Sequence, residues 1–133
     1  VPFITEVKRT HTCGQLTARV AGDPVRVSVC HCLACQRRTG SPFSEQARFP
    51  RENVTLAGAS TEYVRVGDEG GRATFHFCPT CGCTVYYEAE GLDGFLTIPV
   101  GAFAEPGFPP PQVSVYESRM HGWLAMPPDI EHM

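Results

Sequence analysis

Apolar and polar positions alternate along this chain in short runs, separated by Gly, Pro and Asp. Residues 15–22 (QLTARVAG) and 24–30 (PVRVSVC) alternate and favour β-branched side chains, with Gly22-Asp23-Pro24 as the turn between them. The same period of two covers 43–49, 60–66, 72–78, 84–90 and 95–101, which predicts five more strands. Gly67-Asp68-Glu69-Gly70-Gly71 reads as a hairpin connection between two of them. Helical signal is confined to 33–40 (LACQRRTG), a short turn of helix that follows Cys32 and stops at Gly40. PGFPPPQ at 106–112 is extended, because consecutive prolines continue neither a helix nor a central strand. No linker or repeat divides the chain, so the pattern predicts one mostly β domain over residues 1–133 with very little helix.

Composition narrows the function. Hydrophobic residues make up 42% of the 133, enough for a core without disulfide staples. A net charge of −3 argues against non-specific nucleic-acid binding, which needs a basic face, and against an anionic membrane surface. No apolar run approaches the roughly 20 residues of a membrane span. Seven cysteines is an odd number, and most of them fall in two tight clusters rather than scattered pairs. That usage predicts a reducing, cytoplasmic setting and metal ligation.

The clusters carry the chemistry. Phe77-Cys78-Pro79-Thr80-Cys81-Gly82-Cys83 contains a knuckle: two residues between Cys78 and Cys81 let both sulfurs face one metal, and Gly82 sits where the chain needs positive φ. The knuckle supplies two ligands, and two more come either from His11 with Cys13 or from a pair of Cys30, Cys32 and Cys35. Taking His11 and Cys13 completes a Cys3His structural site and leaves the triple intact, so we prefer it. Three protein ligands with an exchangeable fourth position is the pattern of catalytic zinc, and a thiol bound there is deprotonated near neutral pH. The expectation is two Zn2+ sites, of which the second is open to loss when its thiolates oxidise.

With those residues in view, the chain resembles the glutathione-dependent formaldehyde-activating enzyme family, whose fold is Mss4-like. CHCLACQRRTGSPFS, HFCPTCGCTVYY, VGAFAEPGFPPP and SRMHGW carry the resemblance. It implies a pair of coiled antiparallel sheets (a β-tent) and two zincs. Cys13, Cys78 and Cys81 match the structural set, and Cys30, Cys32 and Cys35 match the active-site set. His11 stands where the family usually has its first cysteine. The implied activity is that of a carbon–sulfur lyase, making or breaking the adduct of a small thiol such as glutathione with an aldehyde, formaldehyde in the family's name.

Other residues carry weaker expectations. Gln36, Arg37, Ser41 and Phe43 follow the triple and are candidate substrate contacts, although Arg37 and Arg38 diverge by about 100° on a helix. Cys83 reads more simply as a buried core cysteine than as a substitute ligand or reactive thiol. His31 lies between two ligands on the opposite strand face, more a hydrogen-bonded structural group than a proton relay. Two rival readings remain: a non-catalytic Mss4-like module or thiol-adduct carrier, in the first of which Cys83 or a histidine closes the second metal, and thiol redox chemistry of the methionine sulfoxide reductase type.

Overall fold

A computed structural model describes residues 7–67 and 70–133. In chain order the strands are β1 (Val7–Arg9), β2 (Thr17–Ala21), β3 (Arg26–Cys30), β4 (Ser44–Pro50), β5 (Val54–Ala57) and β6 (Thr61–Val66). They continue with β7 (Arg72–Phe77), β8 (Thr84–Ala89), β9 (Phe95–Pro99), β10 (Val113–Val115) and β11 (Glu131–His132). The one α-helix among the described residues, α1, spans Leu33–Thr39. Every predicted strand is present, its ends differing from the expected bounds by a residue or two. Gly40, at φ 68°, stops α1 where the sequence predicts.

Two sheets form. A three-stranded sheet runs β1-β2-β5, and an eight-stranded sheet runs β11-β10-β3-β4-β9-β8-β7-β6. Gly22-Asp23-Pro24 therefore makes no hairpin: β2 pairs with β1 and β5, whereas β3 pairs with β4 and β10. The turn carries the chain from the small sheet into the large one. The large sheet is not purely antiparallel either, since β10 runs parallel to both β3 and β11. The hairpin expected at 67–71 does join β6 to β7 antiparallel, with Gly67 donating to the Gly71 carbonyl; Asp68 and Glu69 lie outside the described residues.

The alternation places two different surfaces on the large sheet. Val27 of β3, Ala47 and Phe49 of β4, Leu96 and Ile98 of β9 and Val85 of β8 point to one face. There they meet Ala18 and Val20 of the small sheet and Leu16 just before it, with Phe103 and Phe108 completing the core. The opposite face carries Arg26, Ser28 and Cys30 of β3, and Ser44, Gln46 and Arg48 of β4. They stand directly across from one another as Arg26 with Arg48, Ser28 with Gln46 and Cys30 with Ser44. The row through Arg48 continues to Thr97, Tyr87 and Phe75. Helix α1 comes to this second face, with the Arg38 guanidinium 4.8 Å from the Phe75 ring centroid.

Candidate metal centre

Two groups of sulfurs converge. Cys30, Cys32 and Cys35 have their ligand atoms within 4.8 Å of one another, and so do Cys13, Cys78 and Cys81. The donor chemistry fits a thiophilic cation in each: sulfur-only sets, close enough to share one ion, with N–H groups aimed at the sulfurs.

Local backbone geometry builds the first group. Cys30 ends β3, and Cys32 in extended conformation is the N-cap of α1, its sulfur accepting from the Cys35 N–H at 3.3 Å. Cys32 therefore leaves from a cap rather than from the strand, which corrects the expectation that it shares the face of Cys30 by strand alternation. Cys35 returns from the first helical turn and is buried with Cys30. The Cys35 thiol is pulled well below the ordinary range, first by its hydrogen bond with Cys30 and also by Ser44, Cys32 and the charge of Arg65. Cys30 is pushed up by the same bond and by burial.

The second group joins two loops. Cys78 and Cys81 lie in the β7–β8 connection, where the Gly82 N–H donates to the Cys78 carbonyl at 2.7 Å and Gly82 takes φ 79°. Cys13 comes from the β1–β2 connection, its sulfur 3.5 Å from that of Cys78. Burial pushes the Cys78 thiol up, but donors from Cys81, the Gln15 side chain and Thr80 outweigh it and bring it down to about 6. Gln15 Nε2 lies 3.1 Å from that sulfur and the Thr80 N–H 3.4 Å.

His11 is not among the converging ligand atoms. Residue 11 is irregular and residues 12–16 are bends, so His11 and Cys13 do not stand on one strand face. His11 instead lines a cavity of about 280 Å³ with Lys8, Phe103 and Glu105. Cys83 is exposed, not buried in the core, and its sulfur contacts that of Cys81. It therefore stands at the knuckle and not at the triple.

The triple opens onto a second cavity, of about 220 Å³. Cys30 and Cys35 line it together with Arg26, Ser28, Gln46, Arg48, Arg65, Tyr87 and Thr97. Nε of Arg26 and Arg48 and Nη1 of Arg65 are buried without a hydrogen-bond partner, and among the described residues no carboxylate pairs with any of the three. Burial, and then the charge of Arg26, makes Arg48 easier to deprotonate. Like charges directly across two strands are unfavourable unless an anion sits between them.

Sequence reasoning missed this arginine set. The signal was present, since Arg26 and Ser28 share the β3 face of the ligand Cys30, as Gln46 and Arg48 share a face with Ser44. None of Gln36, Arg37, Ser41 or Phe43 lines this cavity. Gln36 is spent on structure, with Nε2 donating to the carbonyls of His31 and Arg119 and Oε1 3.0 Å from His121 Nε2. Arg37 is exposed, Ser41 accepts from the Phe43 N–H, and Phe43 packs 6.4 Å from the His31 ring. His31 itself is fully buried, with Nε2 3.0 Å from Ser114 Oγ, as expected of a structural histidine. His76 stacks on Tyr86 at 4.2 Å and takes no part in either group.

A crystal structure of a Rhodobacter sphaeroides protein is similar in fold, with a TM-score of 0.56 at 21% identity over 79% of this chain and 92% of that one. The family described as glutathione-dependent formaldehyde-activating enzyme matches residues 6–119, a span that takes in both sulfur groups and the arginine-lined cavity. The chain belongs to the glutathione-dependent formaldehyde-activating enzyme family.

Proposed function

We propose that this protein is a zinc-dependent carbon–sulfur lyase or synthase acting on an anionic small thiol, such as glutathione, and its aldehyde adduct. The observation that carries the reading is the three-sulfur group of Cys30, Cys32 and Cys35 at the wall of a cavity lined by three arginines that no carboxylate among the described residues pairs. A zinc at that group supplies a fourth position at which a thiol loses its proton near neutral pH.

The chain's own residues supply the rest. Arg26 and Arg48 offer paired N–H groups to a carboxylate, which anchors the thiol and offsets their mutual repulsion. Arg65, held 4.9 Å from the Phe75 ring, adds a third positive group to the lining. Anchoring the thiol this way fixes its sulfur near the triple and converts an encounter into an oriented attack. In the reaction the sulfur forms a bond to the aldehyde carbon, the carbonyl π bond breaks onto oxygen, and the thiol proton ends on that oxygen. Run backwards, the adduct releases thiol and aldehyde. No oxidant or reductant enters.

A closed, non-catalytic module needs a protein group at the fourth position of the triple. Cys83 contacts Cys81 and His31 bonds to Ser114, so neither offers itself.

The test uses cobalt-loaded protein titrated with glutathione and, separately, with S-methylglutathione. The proposal expects a change in the cobalt spectrum with the free thiol alone, lost in Cys35→Ser. It also expects wild-type protein to speed interconversion of glutathione and formaldehyde with their adduct, followed by NMR exchange. No spectral change with glutathione overturns it; a change without faster exchange reduces the protein to a carrier.

A further inference from the structure

A structural metal site is closed by four ligands, yet among the described residues only Cys13, Cys78 and Cys81 converge at the knuckle. The matching position to the usual first ligand is His11, which lines a different cavity alongside Lys8 and Glu105. Its backbone is fixed there by the 2.7 Å bond from its N–H to the Ala102 carbonyl. Cys83 is placed otherwise. Its carbonyl accepts from the Cys78 N–H at 2.9 Å, and the left-handed Gly82 folds the chain back so that the Cys83 and Cys81 sulfurs come into contact. The side chain is exposed, and its one sulfur partner is itself a ligand, so a turn about χ1 toward Cys13 meets no packed core.

We propose that Cys83 is the fourth ligand of the knuckle metal, so that Cys13, Cys78, Cys81 and Cys83 make a four-sulfur site and His11 is released from ligation. The geometry rests on three points: the convergence of three sulfurs, a fourth sulfur on the next residue but one, and the absence of His11 from the converging ligand atoms. A thiolate in place of imidazole makes the site more negative, and Gln15 and Thr80 already direct N–H groups at its sulfurs. The role differs from that of the triple and does not depend on the chemistry proposed there.

The test isolates the knuckle by working in a Cys30→Ser/Cys35→Ser background loaded with cobalt or zinc. Cys83→Ser is expected to lower the sulfur-to-cobalt charge-transfer band to about three-quarters, one thiolate of four being removed. Zinc transfer to a chelator is expected to speed up about tenfold or more, since even outer partners of a ligand are worth that much. His11→Ala is expected to leave both unchanged. Should Cys83→Ser fail to fold, X-ray absorption at the zinc edge of the background protein decides: four sulfurs uphold the proposal, three sulfurs with one nitrogen or oxygen overturn it. A response to His11→Ala with none to Cys83→Ser, or a response to neither, also overturns it.

Discussion

Replacing Arg48 by Met separates recognition from stability in a way few other substitutions do. Arg48 stands directly across from Arg26, and its buried Nε has no partner. Methionine keeps much of the side-chain stem and volume but removes the charge and the stranded N–H. Relief of a like-charge pair across two strands contributes about 0.2–1 kcal/mol, and loss of a buried unsatisfied donor adds to it. The folded protein is therefore expected to gain about 1 kcal/mol, a rise in Tm of about 2–4 °C for a chain of this size. Binding moves the other way. A hydrogen bond to a charged group is worth about 1.5–3 kcal/mol, so glutathione affinity falls by about 10- to 150-fold. A neutral thiol such as 2-mercaptoethanol makes no use of Arg48, and its affinity stays unchanged. Calorimetric titration of zinc-loaded protein with both thiols, beside thermal unfolding, reads all three effects. An Arg48→Met protein that melts lower and binds glutathione as well as before would refute the reasoning, because the arginine would then be a structural group.

Three further outcomes follow from the geometry. Gln15→Leu removes the 3.1 Å donor to the Cys78 sulfur and the pair of bonds to the Ala59 backbone. Chelator challenge should release the knuckle metal about tenfold faster or more; unchanged release contradicts the assigned role. Gly58, at φ 99°, lies so close to the Gln15 carbonyl that a Cβ would collide with backbone. Gly58→Ala should cost about 3 kcal/mol or more in urea unfolding, and near-wild-type stability contradicts so close an approach. In metal-free protein Cys78 is held down to about 6 and Cys35 to about 4, against unfolded thiols at about 8.5. Across that window the folded state binds fewer protons, and burial of His31 acts in the same direction. Stability should therefore rise from pH 5 through 6.5 to 8, about the middle of the thiol window, and drain away as pH falls through the folded values. The thiols pushed up, Cys13, Cys30 and Cys83, stay protonated in both states there and add nothing. A flat or falling dependence contradicts the assignment.

What the sequence made legible was local. Period-two alternation located the long strands, Gly40 ended the helix, and Cys-x-x-Cys spacing marked the knuckle, because each depends on neighbours along the chain. Strand partners were less readable. The turn at Gly22-Asp23-Pro24 looks the same whether it closes a hairpin or changes sheets, and the three-residue β1 and β10 and the two-residue β11 carry too few positions to show a period. Parallel pairing of β3 with β10 joins residues more than 80 apart in the chain, by direct reading of Val29 with Ser114. Candidate ligands were read from spacing, which is why His11 and Cys13 were paired: an extended segment would set them on one face. Bends at 12–16 turn Cys13 toward the knuckle and leave His11 beside Phe103. Proximity to the triple in sequence points to Gln36, Arg37, Ser41 and Phe43 as substrate contacts. Apart from Cys35 of α1, the cavity draws mostly on β3, β4, β6, β8, β9 and β10, so its arginines come together only through the sheet.

The central claim is that the triple is a metal site of its own, separate from the knuckle and open to a thiol. Zinc per chain, measured on protein purified under reducing conditions with and without Cys35→Ser, tests it most directly. The account predicts two zincs in the wild type and one in the folded variant. One zinc in both would mean that Cys30, Cys32 and Cys35 hold no stable metal, and the proposed carbon–sulfur chemistry would lose its centre.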